Sequence, residues 1–253
     1  MFEQLVLRLI HCILSFGVFV KQCTSYFIHF GLVFKQKSSV DFIKADARQI
    51  NKLPVHIGIV VLEEKLSYTD IANIIIWSLA LGISCISVYD VNGDFKRNHA
   101  VLKGVVAKKQ KEILHDESTK YSICLHTNNQ TDLYLENGYS NNCKIDIQLV
   151  GPEDGRRELV KLAQNLSREV ATHQRKLEDI TIQHIDNILQ GTNKFPDPDL
   201  IIRFGTVDSL LGFLPWQIRL TEILTHQTHD GLTYKSFISL LHSYGDTDQR
   251  FGR

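Results

Sequence analysis

The stretch that most restricts the fold is residues 196–224, PDPDLIIRFGTVDSLLGFLPWQIRLTEIL. Pro196 and Pro198 fix φ and remove two backbone donors, so no helix enters from upstream and the chain runs extended. Leu200-Ile201-Ile202 is a short unbroken apolar run, the pattern of a strand buried on both faces of a parallel sheet. Residues 205–209 read as a turn-rich loop. From Leu210 the chain is apolar again, and with Pro215 near its start the pattern predicts a helix over 217–224. A loop leaving the C-terminal end of a central strand is where open α/β sheets place their ligands.

Elsewhere strand and helix alternate. Val55–Leu62 (VHIGIVVL) is continuous and β-branched, a strand. Ser67 with Asp70 three residues on forms a capping box, opening a helix over 68–81 that is apolar nearly all round and stops at Gly82. Residues 83–89 predict a second strand. Residues 95–116 predict an amphipathic helix whose Lys103, Lys108, Lys109 and Lys111 form either a solvated face or a contact with acidic lipid. Strands are expected over 121–126, 145–150 and 200–204, the last of them, and helices over 153–175, 177–189 and 234–244. Leu159, Leu162, Ala163, Leu166 and Val170 recur at helical spacing. This order argues for one α/β domain with a mainly parallel central sheet flanked by helices.

At 253 residues the chain can bury one large core or two small ones. Its 28 basic and 28 acidic residues cancel. The chain as a whole therefore lacks the long-range attraction that nucleic acid requires, and no nucleic-acid partner is expected. The five cysteines, Cys12, Cys23, Cys85, Cys124 and Cys143, are odd in number and show no Cys-x-x-Cys spacing. That argues for a reducing environment and against a disulfide framework or a zinc site.

Residues 5–34 are mostly apolar, with Arg8 and Lys21 their only charges. The uncharged run from Leu9 to Val20 would span about 18 Å as a helix, too short for a hydrocarbon core of about 30 Å. Phe16, Phe19, Tyr26, Phe27, Phe30 and Phe34 suit a bilayer interface. Residues 1–34 are read as a membrane anchor touching lipid, one imperfect span or a pair of shallow helices. The alternatives are an apolar helix packed on the domain or a secretory signal, which lacks a clear Ala-x-Ala site. Residues 35–52 read as a polar linker and 53–253 as the domain.

Asp197-Pro198-Asp199-Leu200-Ile201-Ile202-Arg203, followed by Phe213-Leu214-Pro215-Trp216-Gln217, resembles the signature of the cis-prenyltransferases, the undecaprenyl and dehydrodolichyl diphosphate synthases. Arg203-Phe204-Gly205, Gly212-Phe213-Leu214-Pro215-Trp216 and Ile218-Arg219-Leu220-Thr221-Glu222 resemble one branch closely, the Nogo-B receptor family, the accessory subunit of eukaryotic dehydrodolichyl diphosphate synthase. The resemblance runs from about Leu53 to Arg253. It implies the same mainly parallel α/β fold and a reaction joining isopentenyl diphosphate to an allylic diphosphate, with Mg²⁺ held by a carboxylate.

In catalytic members the first strand reads roughly His-Ile-Ala-Phe-Ile-Met-Asp-Gly-Asn-Arg-Arg. Here it reads His56-Ile57-Gly58-Ile59-Val60-Val61-Leu62-Glu63-Glu64-Lys65-Leu66. Leu62 holds the place of the metal-binding aspartate, and two carboxylates replace part of the phosphate cradle. The motif Phe-Ser-x-Glu-Asn-Trp-x-Arg is degraded over Val91–Arg97. In the loop after Arg203 the family's second arginine is Ser209 and its serine is Leu211. Arg203 is then either a residual phosphate contact or a structural salt-bridge partner.

The resemblance implies that residues 213–222 pair subunits, which makes Trp216, Arg219 and Glu222 interface candidates; the plainer reading of Trp216 is core. A terminal stretch is disordered by default. The family's Arg-x-Gly tail, however, implies that Arg250 and Gly252 reach into a partner's isopentenyl diphosphate site, with Phe251 pinning the tail. The resemblance thus implies a non-catalytic subunit paired with a catalytic dehydrodolichyl diphosphate synthase subunit. That partner would carry the Mg²⁺, and the pair would sit at the endoplasmic reticulum membrane with the domain facing the cytosol. The rival readings are a self-sufficient enzyme using Glu63 or Glu64 as ligand and a membrane-tethered receptor or lipid-binding scaffold.

Overall fold

The structure, a computed structural model, describes residues 40–127, 130–132, 144–190 and 195–248. The expected anchor and the tail residues Arg250, Phe251 and Gly252 lie outside the described residues. Among the described residues, no helix is long and apolar enough to cross a membrane.

Seven strands form one sheet: β1 (His56–Val61), β2 (Cys85–Asp90), β3 (Ser122–Thr127), β4 (Gln130–Asp132), β5 (Lys144–Val150), β6 (Leu200–Phe204) and β7 (Glu222–His226). Their order is β4-β3-β5-β2-β1-β6-β7, and every neighbouring pair is parallel except β3 with β4. The helices are α1 (Val40–Ala47), α2 (Tyr68–Leu81), α3 (Asp94–Arg97), α4 (His99–Leu114), α5 (Arg156–Ala171), α6 (Ile182–Gln190) and α7 (Tyr234–Gly245). The mainly parallel α/β architecture is as the alternation predicts. The caps of α2 are the expected ones. Ser67 Oγ accepts the Asp70 N–H at 3.3 Å and donates to its carboxylate at 2.6 Å, and Gly82 closes the helix at φ +94°.

Two expectations fail. The helix predicted over 217–224 is absent. Residues 205–221 are loop, and the chain then enters β7, so 200–204 is not the last strand. Leu211, Gly212 and Leu214 all have positive φ (+45°, +92° and +34°), which breaks any right-handed helical path. Thr221, Ile223 and Thr225 then favour extension beside β6, where Leu200 pairs with Glu222. The polar linker is also shorter than expected. From Val40 the chain is helical, and Val40, Ile43 and Ile50 are buried in the main core. Val40, Ile43 and Ala47 form a narrow apolar stripe that the surrounding charges hide in the sequence. Tyr234 donates to Asp46 at 2.9 Å, and Lys44 pairs with Glu117 at 2.9 Å.

Asp199 fastens the centre of the sheet. Its carboxylate accepts the N–H groups of Val55 and His56 at 2.7 and 3.1 Å. Its own N–H donates to the His56 carbonyl, and its carbonyl accepts the Glu222 N–H, both at 3.0 Å. The strand before β1, and the starts of β6 and β7, are therefore joined at one residue.

The two faces of the sheet differ. On one, Ile57, Ile59, Val88, Ile147, Ile202 and Phe204 pack into a single core with residues of α2, α4 and α7. On the other, Val60, Tyr89, Val150 and Ile201 pack on Phe213 and Leu214 near the C-terminal ends of the strands. Gly58 lets this happen, since a Cβ there would lie 2.9 Å from the Phe213 ring. Nearer the N-terminal ends the same face is polar. His56 registers with Cys85, Cys85 with Asp146, and Asp146 with Cys124, while Ser87, Gln148 and His126 form the next row.

His56 is 1% exposed. Its Nδ1 donates to the Pro196 carbonyl at 2.6 Å, and its Nε2 accepts from the Ser87 hydroxyl at 2.8 Å. Burial pushes its pKa down from 6.5 to about 4. The folded imidazole thus stays neutral where the unfolded one protonates. Its contribution to stability is complete above about pH 6.5 and is lost as the pH falls toward 4. Between pH 7 and pH 5 this group alone should cost about 2 kcal/mol. Thermal melts of wild type and His56→Gln at both pH values check this: the variant should lose less stability over that interval, and an equal loss would count against it.

Candidate functional site

The C-terminal ends of β1 and β6 meet at Leu62, the position that the family resemblance aligns with the metal-binding aspartate of catalytic members. Leu62 N–H donates to the Phe204 carbonyl at 2.9 Å, which keeps the strand ends together one residue past β1. Leu62 is half-buried against the Val60–Phe213 cluster. Gly205, at φ +114°, passes directly over it, and a Cβ there would lie 3.3 Å from that of Leu62.

The next residue is turned inward. One Glu63 carboxylate oxygen accepts the Thr228 hydroxyl at 2.5 Å, and the other accepts the His229 backbone N–H at 2.9 Å together with the His229 Nδ1–H. His229 is fully buried, and its Nε2 accepts the Ser67 N–H at 2.8 Å, so the imidazole proton is on Nδ1. Asp70 adds a bond from the Gly231 N–H at 3.1 Å. Burial pushes the Glu63 carboxyl up, but the hydrogen bonds from Thr228 and His229 outweigh it and the net pKa is lowered. Glu64 is exposed. The residues here do not suit Mg²⁺. Leu62 offers no donor, both Glu63 oxygens are spoken for, and Glu64 points to solvent.

The cations around this rim are paired. Lys96 reaches Glu153 at 2.7 Å and Asp154 at 2.5 Å, and Arg97 reaches Asp94 at 2.6 Å. Asp90 uses its buried carboxylate on the N–H groups of Asn92, Asp94 and Phe95. Arg203 donates to Thr225 at 2.8 Å and pairs with Asp208 at 2.6 Å, while its Nε has no partner among the described residues. Of its two readings, the structural pairing is the one whose partners are in place.

A second feature lies beside α5. The Trp216 indole N–H donates to Asp186 at 2.6 Å, and Arg219 bonds the same carboxylate while its guanidinium lies 5.7 Å from the indole ring centre. The indole hydrogen bond and then Arg219 hold the Asp186 carboxyl below its usual value. Trp216 closes one end of an apolar groove of about 750 Å³ lined by Leu159, Leu162, Leu166 and Val170 of α5 and by Leu177, Ile180 and Ile185. Among the described residues this stripe is largely uncovered: of all α5, Leu166 alone is buried. Around it Val160, Leu177, Ile182 and Leu220 are 56–72% exposed. Trp216 and Arg219 are thus brought together, on a loop instead of a helix. Glu222 stands apart from them at the start of β7.

Sequence reasoning missed Asp186, His229 and Asp199. Asp186 accepts from a tryptophan thirty residues away, a relation with no spacing signal. Asp199 sits inside a motif that drew attention to its neighbours.

Residues 63–252 match the family described as "Putative undecaprenyl diphosphate synthase". The chain is 42% identical over 212 residues to the mouse "Dehydrodolichyl diphosphate synthase complex subunit Nus1", covering 83% of this chain and 69% of that one. The human protein of the same name is 41% identical over 213 residues, with 83% and 70% covered. This chain belongs to the undecaprenyl diphosphate synthase family. Within the family it is similar to the Nus1-type subunits, and more distantly to catalytic members such as the Thermococcus kodakarensis tritrans,polycis-undecaprenyl-diphosphate synthase, at 26% identity over 200 residues, 72% of this chain and 74% of that one. The family fold is seen again in lavandulyl diphosphate synthase from Lavandula x intermedia, with a TM-score of 0.56 at 18% identity over 79% of this chain and 99% of that one. Members of this prenyltransferase family generally use Mg²⁺.

Glu63→Gln removes the charge that His229 and Thr228 converge on and should cost about 1–3 kcal/mol of stability, whereas Glu64→Gln should stay within about 0.5 kcal/mol. Urea unfolding of both variants checks this. Unchanged or raised stability in Glu63→Gln would mean that the carboxylate is held for something other than its own fold.

Proposed function

We propose that this chain is the non-catalytic, activating subunit of a dehydrodolichyl diphosphate synthase complex. Paired with a catalytic subunit, it supports condensation of isopentenyl diphosphate onto an allylic polyprenyl diphosphate. The product is the precursor of dolichol phosphate, the lipid carrier of sugars for protein glycosylation. The observation that carries the reading is the closed end of β1. Leu62 stands where a metal-binding aspartate is expected, and Glu63 is consumed by His229 and Thr228. A diphosphate and its Mg²⁺ have no seat there, so the chain is inactive alone and the Mg²⁺ belongs to the catalytic partner.

The uncovered apolar stripe of α5 supports the partner. Leaving this groove and its exposed rim in water is unfavourable, and burying it against a second subunit recovers roughly 25 cal/mol per Å². Trp216 and Arg219 present an aromatic–guanidinium pair at its edge, the residue types enriched where interfaces are strongest. Glu222, the third interface candidate, starts the outer strand, β7. The tail, which follows α7, reaches the partner's isopentenyl diphosphate site. There Arg250 grips phosphate oxygens, Gly252 brings its backbone N–H close, and Phe251 fixes the tail by burial. Residues 1–34 hold the pair at the endoplasmic reticulum membrane, with the domain on the cytosolic side.

The test is a condensation assay on full-length chain purified alone, the catalytic subunit alone, and the two coexpressed. Activity should appear only in the pair. Leu162→Asp should abolish copurification, and Arg250→Ala should leave copurification intact while reducing activity at least a hundredfold. Turnover by this chain alone, or full activity of the Arg250→Ala pair, would overturn the assignment.

A further inference from the structure

A site outside the prenyl chemistry stands on the polar half of the second sheet face. Cys124 and His126 lie two residues apart on β3, so they share a face. Asp146 on β5 is in direct register with Cys124. A ring nitrogen of His126, the Cys124 Sγ and an Asp146 carboxylate oxygen all lie within 4.8 Å of one another. His126 and Cys124 are buried, at 6% and 3% exposure. Neither Cys85 nor Cys124 is in a disulfide. His126 Nε2 lies 2.8 Å from Asp146, and its buried Nδ1 has no hydrogen-bond partner among the described residues. The Phe195 ring stands edge-on to the imidazole, with centroids 5.4 Å apart.

We infer that Cys124, His126 and Asp146 form a binding site for one Zn²⁺. The donor set decides the ion. A thiolate, an imidazole and a carboxylate suit zinc, whereas Mg²⁺ and Ca²⁺ take oxygen ligands. The scale fits as well. With metal–ligand distances of about 2.0–2.3 Å, tetrahedral ligand atoms stand roughly 3.3–3.6 Å apart. Three atoms already between 2.8 and 4.8 Å apart need shifts of about 1 Å or less. On binding, the Cys124 thiol gives up its proton to solvent as the sulfur–metal bond forms. The imidazole keeps its single N–H on whichever nitrogen faces away, and Asp146 is already a carboxylate acceptor for His126. Water fills the fourth position. Zinc here joins β3 to β5, the outer parallel pair at this side of the sheet. The inference does not depend on the proposed function.

The experiment uses tag-free, full-length chain in detergent, reduced and metal-free, with Cys12, Cys23 and Cys143 replaced by serine. It is titrated with Co²⁺ and then Zn²⁺. One equivalent of Co²⁺ should give a near-ultraviolet thiolate-to-metal band, one equivalent of Zn²⁺ should displace it, and Zn²⁺ should raise the melting temperature. Cys124→Ser, a one-atom change, should abolish the band. His126→Asn and Asp146→Asn should each weaken Zn²⁺ binding by more than about tenfold, the lower end of the loss seen for an outer-sphere partner. Circular dichroism confirms that each variant is folded. Absence of stoichiometric uptake by the parent chain, or uptake unchanged in folded Cys124→Ser, would overturn the site.

Discussion

Six parallel strands bury apolar side chains above and below, and a parallel sheet has to be covered on both sides. The rest of this molecule follows from how it meets that requirement. Above, α2, α4 and α7 seal a continuous core. Below, among the described residues, Phe213, Leu214 and the loop carrying them close the strand ends, with Leu62 packed beside them. The helix laid across this side, α5, buries one leucine of its own stripe. Among the described residues the cover on this side stops short of the α5 stripe.

The strand end that would hold the reactive groups is finished in the opposite sense. Glu63, Ser67 and Asp70 are tied to Thr228, His229 and Gly231 by hydrogen bonds that engage both oxygens of Glu63. Restoring a single aspartate at Leu62 would not reopen this end, because Gly205 crosses the same spot and the neighbouring carboxylate is bound into the fold. The positions at this strand end stabilise the turn between β7 and α7.

Much of this was legible in the sequence. Ser67, Asp70 and Gly82 announced α2 because caps are local, and Leu200–Phe204 announced β6 because two prolines and an apolar run leave little choice. The spacing along α5 was read correctly, but periodicity reports which residues share a face and not what lies over it. The helix expected after Gln217 failed because three residues upstream adopt positive φ, a tertiary outcome in which Phe213 is drawn onto Gly58. Helix α1 was hidden by Asp41, Lys44 and Asp46, which are interspersed among its apolar positions. The absence of Cys-x-x-Cys argued against zinc, yet Cys124, His126 and Asp146 meet only because β3 and β5 are parallel neighbours, and no spacing rule anticipates that.

The single carboxylate of Asp199 joins residues 144 positions apart. On a ribosome adding about 5–20 residues per second, β1 waits on the order of ten seconds for the segment that completes it. During that interval the nascent polypeptide exposes Ile57–Val61 without its β6 neighbour. Completion of the sheet centre is therefore a late event in synthesis, and the nascent strand must be kept from pairing elsewhere until the residues after Pro196 emerge.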